Sequence, residues 1–306
     1  MPRPLARPAR GVSLVELLVG MIIALMVLGI ALQLMLIARA RYYRLADEAL
    51  IKDRGMQALE LIGSAVHHAG WITDTPASSS ARRWPDSGAP PSLSGRDNCS
   101  DSAVISAEDC RGSGVGNSDT LLIRFAGRST QSDGADSDGA TRDCAGYGVP
   151  ERINGDSDPR PGRILLLVAR NSTDREPELM CRSLVRNGNS PGQTHGLVRG
   201  VETLQLLYKL APTASSPAVI LSARTMKDED WHRVQFIHVA IVVRGDRYAI
   251  DPPASSTITL FPELGSVPGV QTQDVEFRPS DSRRNRARFT TTVAVRNPLR
   301  CEVDAC

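Results

Sequence analysis

A long apolar run near the N-terminus constrains this chain more than any other feature. The 22 residues from Leu17 to Ala38 carry no charge. A helix of that length spans about 33 Å, close to the thickness of the hydrocarbon core of a bilayer. The run is therefore predicted to form a helix that enters a membrane. From Val12 to Ala38 only five residues fall outside the hydrophobic class: Ser13, Glu16, Gly20, Gly29 and Gln33.

The residues before the run suggest its orientation. The segment 1–11 carries Arg3, Arg7 and Arg10 and no acid, which predicts a cytoplasmic N-terminus and an exported body. A secretory signal peptide or a plain single-pass anchor would fit these charges. However, the apolar run is longer than the roughly 7–15 residues of a signal peptide. Neither interpretation explains Glu16, whose carboxylate in an apolar helix costs about 2–3 kcal/mol unless it is partnered or interfacial.

The segment from Gly11 to Leu18, with the sequence GVSLVELL, resembles the class III signal of type IV pilins. The resemblance implies that a prepilin peptidase cuts between Gly11 and Val12 and that the new terminus at Val12 is N-methylated. It also implies that Glu16 is the glutamate at the fifth mature position. The family usually has Phe, often followed by Thr, where this chain has Val12 and Ser13.

Glu16 has a physical role in that mechanism. Cleavage would create an α-amine at Val12, which is a cation at the edge of an apolar phase. When helices bundle in a filament, Glu16 of one subunit can neutralise the amine of its neighbour, and because unpaired charges are costly there, the pair would enforce axial register. The alternative is that Glu16 only reaches the lipid headgroups.

The helix is predicted to continue well beyond the apolar run. No proline occurs between Pro8 and Pro76, and apolar residues recur at steps near three and four as far as Val66. Gly70 is the predicted C-terminal stop. We therefore expect a leader over 1–11, a membrane or filament-core half of the helix over 12–38, an amphipathic half over 39–70 and a periplasmic head over 71–306.

The head is predicted to be rich in β-strands. Apolar or alternating segments predict strands over 119–125, 164–169, 179–185, 201–210, 219–222, 234–243, 257–261 and 289–296. The segments 72–118 and 127–161 are predicted to be loops. No βαβ pattern and no second long helix are indicated. The expected fold class is α+β, with the long helix packed on an antiparallel sheet.

Four blocks of the head resemble the PilW family of minor pilins: Asp119–Leu121, Gly200–Glu202 leading to Tyr208, Val239–Val243 and Phe289–Asn297. This resemblance implies an inner-membrane protein with a periplasmic head that takes part in initiating type IV pilus assembly, and hence in twitching motility, adhesion or DNA uptake. The implied partners are other minor pilins, the major pilin, the prepilin peptidase, membrane lipid and the assembly platform. A type II secretion pseudopilin is the nearest alternative, and a signal-anchored periplasmic enzyme or binding domain is the alternative from another class.

Six cysteines lie in the predicted periplasmic part, where disulfides are expected. Six cysteines allow 15 connectivities. Our hypothesis pairs neighbours in sequence, and its last pair resembles C-terminal pairs in pilins. A zinc site is disfavoured because no Cys-x-x-Cys pair is present and no histidine lies nearby. The hypothetical pairs are Cys99–Cys110, Cys144–Cys181 and Cys301–Cys306.

The sequence predicts neither catalysis nor a cofactor. Gly188–Gly192 matches the letters of a nucleophile elbow, with His195 close by, but Pro191 lacks the N–H that an oxyanion hole needs. The aspartates within 133–143 lack the full calcium-loop pattern, so a solvated loop is favoured over a metal site.

Bulk charge argues against a polyanion-binding protein, because 36 basic residues face 34 acidic ones. The sequence does contain one local basic cluster, and it carries no interleaved aromatics for base stacking. We therefore favour a solvated hairpin there over a nucleic-acid site. The cluster consists of Arg283, Arg284, Arg286 and Arg288.

Overall fold

The computed structural model describes residues 11, 13–71, 91–99, 113–130, 136–151, 162–183, 193–214, 216–249, 257–265, 267 and 269–297. The chain divides between Asp47 and Glu48 into two compact units.

The first element is helix α1, Leu14–His68, with 55 residues. It ends where the sequence predicts, since Gly70 has a φ of +67°, the left-handed conformation that commonly terminates helices. The absence of proline allows the helix to run uninterrupted for this length.

The first sheet of the head is five-stranded and antiparallel, with its strands in simple chain order. Each strand pairs with the one before it in the sequence. Such a meander needs only local connections between neighbouring strands. The strands are β1 (Leu93–Arg96), β2 (Thr120–Phe125), β3 (Gly162–Arg170), β4 (Pro177–Ser183) and β5 (Thr194–Arg199).

The second sheet is four-stranded, and a two-stranded ribbon accompanies it. The sheet contains β6 (Val201–Leu210), β7 (Ile220–Leu221), β8 (Val234–Tyr248) and β11 (Arg284–Ala294), in the order β11-β8-β6-β7. The ribbon pairs β9 (Ile258–Thr259) with β10 (Glu276–Phe277), which follows the short helix α2 (Thr272–Val275). Every pairing in the sheets is antiparallel.

One main core joins the C-terminal half of α1 to both large sheets. Ala58 and Ile62 are fully buried in it, together with Leu121 of β2 and Leu204 of β6. Strand β8 is buried on both faces, because Ile241 faces this core while Val242 belongs to a second cluster with Leu260 and Phe261. The predicted α+β architecture, a long helix with antiparallel sheets, is confirmed.

The structure corrects several details of the strand prediction. The antiparallel strands form three sheets rather than one. Strand β1 lies inside the segment 72–118, which was predicted to be a loop. The prediction missed it because β1 has no apolar alternation and includes Gly95. A side chain at position 95 would collide with the Tyr208 hydroxyl. Strands β5 and β10 were also missed, and β11 begins at Arg284 rather than Phe289.

Candidate functional site

The predicted cleavage segment leads directly into α1. Gly11 and Glu16 are both exposed, and Glu16 lies in the first turn of the helix. Val12 lies outside the described residues. Ser13 accepts a hydrogen bond from the Val15 N–H (N–Oγ 3.3 Å), and its carbonyl accepts one from the Leu17 N–H (3.1 Å). Ser13 is therefore the N-cap of α1.

The N-cap reveals a second role for Glu16 that the sequence interpretation missed. Ser13-Leu14-Val15-Glu16 has the Ser-x-x-Glu spacing of a capping box, with Glu16 at the third helical position. A negative charge there also interacts favourably with the positive end of the helix dipole. Glu16 is thus placed to help start the helix, separately from its predicted pairing with an amine. Among the described residues, no cation pairs with it.

The apolar run presents its side chains on every face of the helix. Each large apolar residue from Leu14 to Ile37 is at least 50% exposed. The helix is long and apolar enough to cross a membrane, with a mean hydropathy of 2.7 over its most apolar window and none of that window buried. An apolar surface of this kind needs lipid or other apolar helices around it.

The second half of α1 packs against β11, and glycines set the closest approach. A Cβ at Gly55 would overlap the ring of Phe289, whereas one at Gly63 would lie 3.9 Å from Val293. At the helix end, Asn297 Nδ2 donates to the Ala69 carbonyl (3.0 Å). The block Phe289–Asn297 therefore has a structural purpose, because its alternate side chains cover the helix and its last residue caps it.

The arginine cluster is not the solvated hairpin that the sequence predicted. Arg286 is 5% exposed and is paired with Glu202, with its Nε 2.5 Å from Oε2 and a second bond of 3.1 Å from its terminal nitrogen to Oε1. Arg284 is 13% exposed and lies 3.2 Å from Glu176. The other two arginines conform better to the prediction, since Arg283 and Arg288 are exposed.

Arg244 completes this network of buried ion pairs. It contacts Glu202 at 3.1 Å and also bonds to Glu176. The network therefore ties β6, β8 and β11 of the four-stranded sheet to the segment that precedes β4 of the other sheet. Its partners are 42 to 108 residues apart in sequence, so no local pattern could reveal them. Burial without compensation would be costly for each of these charges.

A buried carboxylate anchors the start of β2. Asp119 is 2% exposed and accepts hydrogen bonds from the Asn98 N–H (3.1 Å) and the Leu206 N–H (2.8 Å). Burial raises the pKa of Asp119 well above its ordinary value, and the nearby carboxylate of Asp97 adds to the shift. Asp119 thereby links the chain after β1, the start of β2 and β6, which explains why an acid is buried at this position.

Tyr208, which follows the block Gly200–Glu202, has a structural position in the core. It is fully buried and packs edge-on against Trp231, with ring centroids 4.9 Å apart. Burial, followed by the charges of Asp119 and Asp97, raises the pKa of its hydroxyl well above the ordinary value. The blocks around Asp119 and Tyr208 therefore meet in one place in the fold.

One of the three hypothetical disulfides lies within the described residues. Cys144 and Cys181 are bonded, with their Cα atoms 6.3 Å apart. The bond attaches a long polar loop to the buried strand β4. Cys99 is fully buried and disulfide-bonded as well. The hypothetical partner Cys110 and the pair Cys301–Cys306 lie outside the described residues, so those two pairings stay predictions.

The aspartates of the polar loop serve its own turns. Asp138 accepts a hydrogen bond from the Ala140 N–H (2.9 Å), and Asp143 accepts bonds from the N–H groups of Ala145 and Tyr147 (both 2.9 Å). Such turns are ordinary uses of aspartate in loops. Within the described residues, no group of three or more acidic, histidine or cysteine side chains could hold a metal ion. Asp133 and the segment 188–192 lie outside them, and His195 lies on β5.

Part of the head matches a known protein family. Residues 166–297 match the model of the family PilW, described as Type IV Pilus-assembly protein W. The match confirms the resemblance to the PilW family over that part of the chain, which includes the ion-pair network, Tyr208 and β11. No curated protein matches the sequence significantly.

Among solved structures, the chain aligns with a type IV-like pilin from Thermus thermophilus. The two sequences are 10% identical over the alignment, which covers 81% of this chain and 98% of that one with a TM-score of 0.41.

Proposed function

We propose that this protein is a minor pilin that takes part in initiating the assembly of a type IV pilus. The observation that carries this proposal is the match of residues 166–297 to the PilW family, whose description names type IV pilus assembly. The match includes β11, against which the second half of α1 packs. The exposed apolar first half of the same helix is what a subunit that leaves the membrane for a filament needs.

Processing would begin at the N-terminus. The prepilin peptidase cleaves between Gly11 and Val12, and Val12 is then N-methylated. The new α-amine lies one residue before the N-cap Ser13 and four residues before Glu16. In the filament, the Glu16 carboxylate neutralises the amine of an adjacent subunit, because both charges enter surroundings in which neither can remain unpaired without a large cost.

The protein would be anchored in the inner membrane by α1, with its head in the periplasm, until it is transferred to the pilus. Its partners are other minor pilins, the major pilin and the assembly platform, and twitching motility, adhesion or DNA uptake depends on the resulting pilus. In this role the protein is a substrate of the peptidase and has no catalysis of its own. The PilW match supports a pilus rather than a type II secretion system.

The test is the N-terminal sequence and mass of the mature protein, isolated from the membranes of cells with and without the prepilin peptidase. We expect methylated Val12 as the first residue in the former and the full leader in the latter. A start near Arg41, or an intact Met1 in peptidase-containing cells, would refute the proposal. Deleting the gene should abolish or strongly reduce piliation and leave type II secretion intact.

A further inference from the structure

The two large sheets have four edge strands, and these differ in their protection against pairing with another chain. Natural edges are protected by shortness, bulges, prolines or charges. Strand β7 has two residues and β1 has four. Strand β5 pairs with β4 through a register shift and carries Gly196 and Arg199. Strand β11 is the exception, with 11 residues.

The register of β11 shows which of its backbone groups face outward. From Arg286 to Ala294 it pairs with β8 without a shift, and the Val295 N–H donates to the Gln235 carbonyl (2.8 Å). Because alternate residues of an antiparallel strand bond to the same neighbour, Thr290, Thr292 and Ala294 direct their N–H and C=O groups away from β8. Among the described residues, no backbone group pairs with these outward groups.

The composition of this edge favours strand pairing. Residues 289–294 read FTTTVA and contain no charge and no proline. Aromatic residues, threonine and valine are enriched in strands. None of the usual protections is therefore present over this part of β11.

The edge is also held rigidly. The Phe289 ring lies against Gly55 of α1, and Val293 and Val295 belong to the main core. Asn297 at the end of this segment bonds to the carbonyl of Ala69 at the end of α1. A strand that is already ordered loses little conformational entropy when another segment pairs with it.

We propose that the outer edge of β11, from Phe289 to Ala294, is an interaction surface that pairs with an extended segment of a different pilus subunit and so adds a fifth strand to the four-stranded sheet. This inference rests on the proposed function. Main-chain hydrogen bonds to Thr290, Thr292 and Ala294 supply the affinity, and β-branched side chains beside the threonines supply the fit.

Charge argues that the occupant is a different subunit rather than a second copy. The segment 283–297 contains no acid, and Arg288 is exposed beside the pairing edge, whereas Arg284 and Arg286 are already paired with Glu176 and Glu202. Pairing β11 with β11 of another copy would bring two such segments together. A segment with an acidic residue opposite Arg288 fits the edge better, since opposite charges on neighbouring strands attract and like charges repel.

The first test replaces Thr292 in the full-length protein in piliated cells. Thr292→Pro removes one outward N–H and is compatible with an edge strand. Thr292→Val keeps that N–H and is the matched control, since both variants lose the contact between the Thr292 hydroxyl and His238 Nδ1 (2.9 Å). We expect at least a tenfold loss of pili with Thr292→Pro and normal piliation with Thr292→Val, at equal protein levels and melting temperatures. Normal piliation with Thr292→Pro would overturn the inference.

A second test needs no substitution and serves if Thr292→Pro fails to fold. Amide hydrogen exchange over 286–296 is compared between the full-length protein alone in detergent and the same protein in sheared pili. Exchange at Thr290, Thr292 and Ala294 should slow at least tenfold in the pili, and an unchanged rate would contradict the proposal. A disulfide between two copies of Thr290→Cys would show self-pairing and would also contradict it.

If gene deletion itself leaves piliation normal, the proposed function fails. If deletion abolishes pili while both edge tests are negative, only the edge inference fails.

Discussion

Glu16 and Glu202 are both glutamates in largely apolar segments, yet their environments are opposite. Glu202 has a side chain that is 7% exposed, and two arginines pair with it. Glu16 lies on a helix whose apolar side chains are exposed on every face, and among the described residues no cation pairs with it. The charge of Glu202 is compensated within the head. That of Glu16 has to be compensated by another molecule or by solvent, which is why we propose Glu16 as the assembly residue.

The largest effect is expected from substitution of Glu16. Glu16→Gln keeps the ability to form a capping box with Ser13 but removes the charge, whereas Glu16→Ala removes both. If the charge drives assembly, both variants should be cleaved normally and both should lose piliation almost completely. Piliation counts by electron microscopy and the mass of the mature protein measure this. Normal piliation with Glu16→Gln would show that Glu16 acts only as a helix cap.

The converse prediction concerns Glu202. Glu202→Gln leaves Arg244 and Arg286 without their shared carboxylate, and breaking a buried pair from one side costs about 3–5 kcal/mol. The free energy of unfolding of the detergent-solubilised protein in urea measures the loss. Asp246→Asn is the control, because Asp246 pairs with Arg54 at 2.7 Å while its side chain is 56% exposed, and exposed pairs contribute about 1 kcal/mol or less. Equal losses in the two variants would mean that burial does not distinguish these pairs.

Two glycines in the second half of α1 provide another comparison. Gly55→Ala places a methyl carbon 2.4 Å from the Phe289 ring and should destabilise the head by about 1–3 kcal/mol, as overpacking does. Gly63→Ala meets only an ordinary contact with Val293, so it should be neutral or stabilise the helix by up to about 1 kcal/mol. Urea unfolding separates the two outcomes. A harmless Gly55→Ala would refute the close packing between α1 and β11.

The last prediction is a pH dependence due to Asp119, a buried carboxylate that is held by N–H groups. Because its folded-state pKa is raised above its unfolded value, the folded state binds the proton more tightly. The stabilising contribution of the protonated form is therefore full below about pH 4 and is lost as pH rises toward the folded-state pKa. Stability should fall with a slope of up to about 1.4 kcal/mol per pH unit over that window. Asp119→Asn, although less stable at low pH, should lack this slope in urea titrations from pH 4 to 8.

Much of the fold could be predicted from the sequence because the signals are local. The apolar run, the absence of proline and Gly70 predict α1 to within two residues at each end. Strand β6 was predicted with its observed bounds, and alternation in β11 correctly placed Phe289 and Val293 on one face. Strands β1 and β5 were missed, since β1 is short and β5 contains a glycine and exposed polar residues.

The arginine cluster shows where local patterns fail. A run of four arginines within six residues is typical of a solvated segment, and two of its four members are indeed exposed. Arg284 and Arg286 are instead paired with glutamates that lie 108 and 84 residues away in sequence. Only the pairing of β11 with β8, and of β8 with β6, brings Glu202 beside Arg286.

The sequence by itself therefore determined the long helix, its apolar surface, the candidate processing segment and most of the strands, because each depends on residues that are neighbours in the chain. Only the tertiary structure decided which charges are buried and paired, why Gly55 must lack a side chain, and which strand edge is unpaired among the described residues. Those features depend on residues that are far apart in sequence, and their free energy is set by the distance and solvent exposure that folding imposes on them.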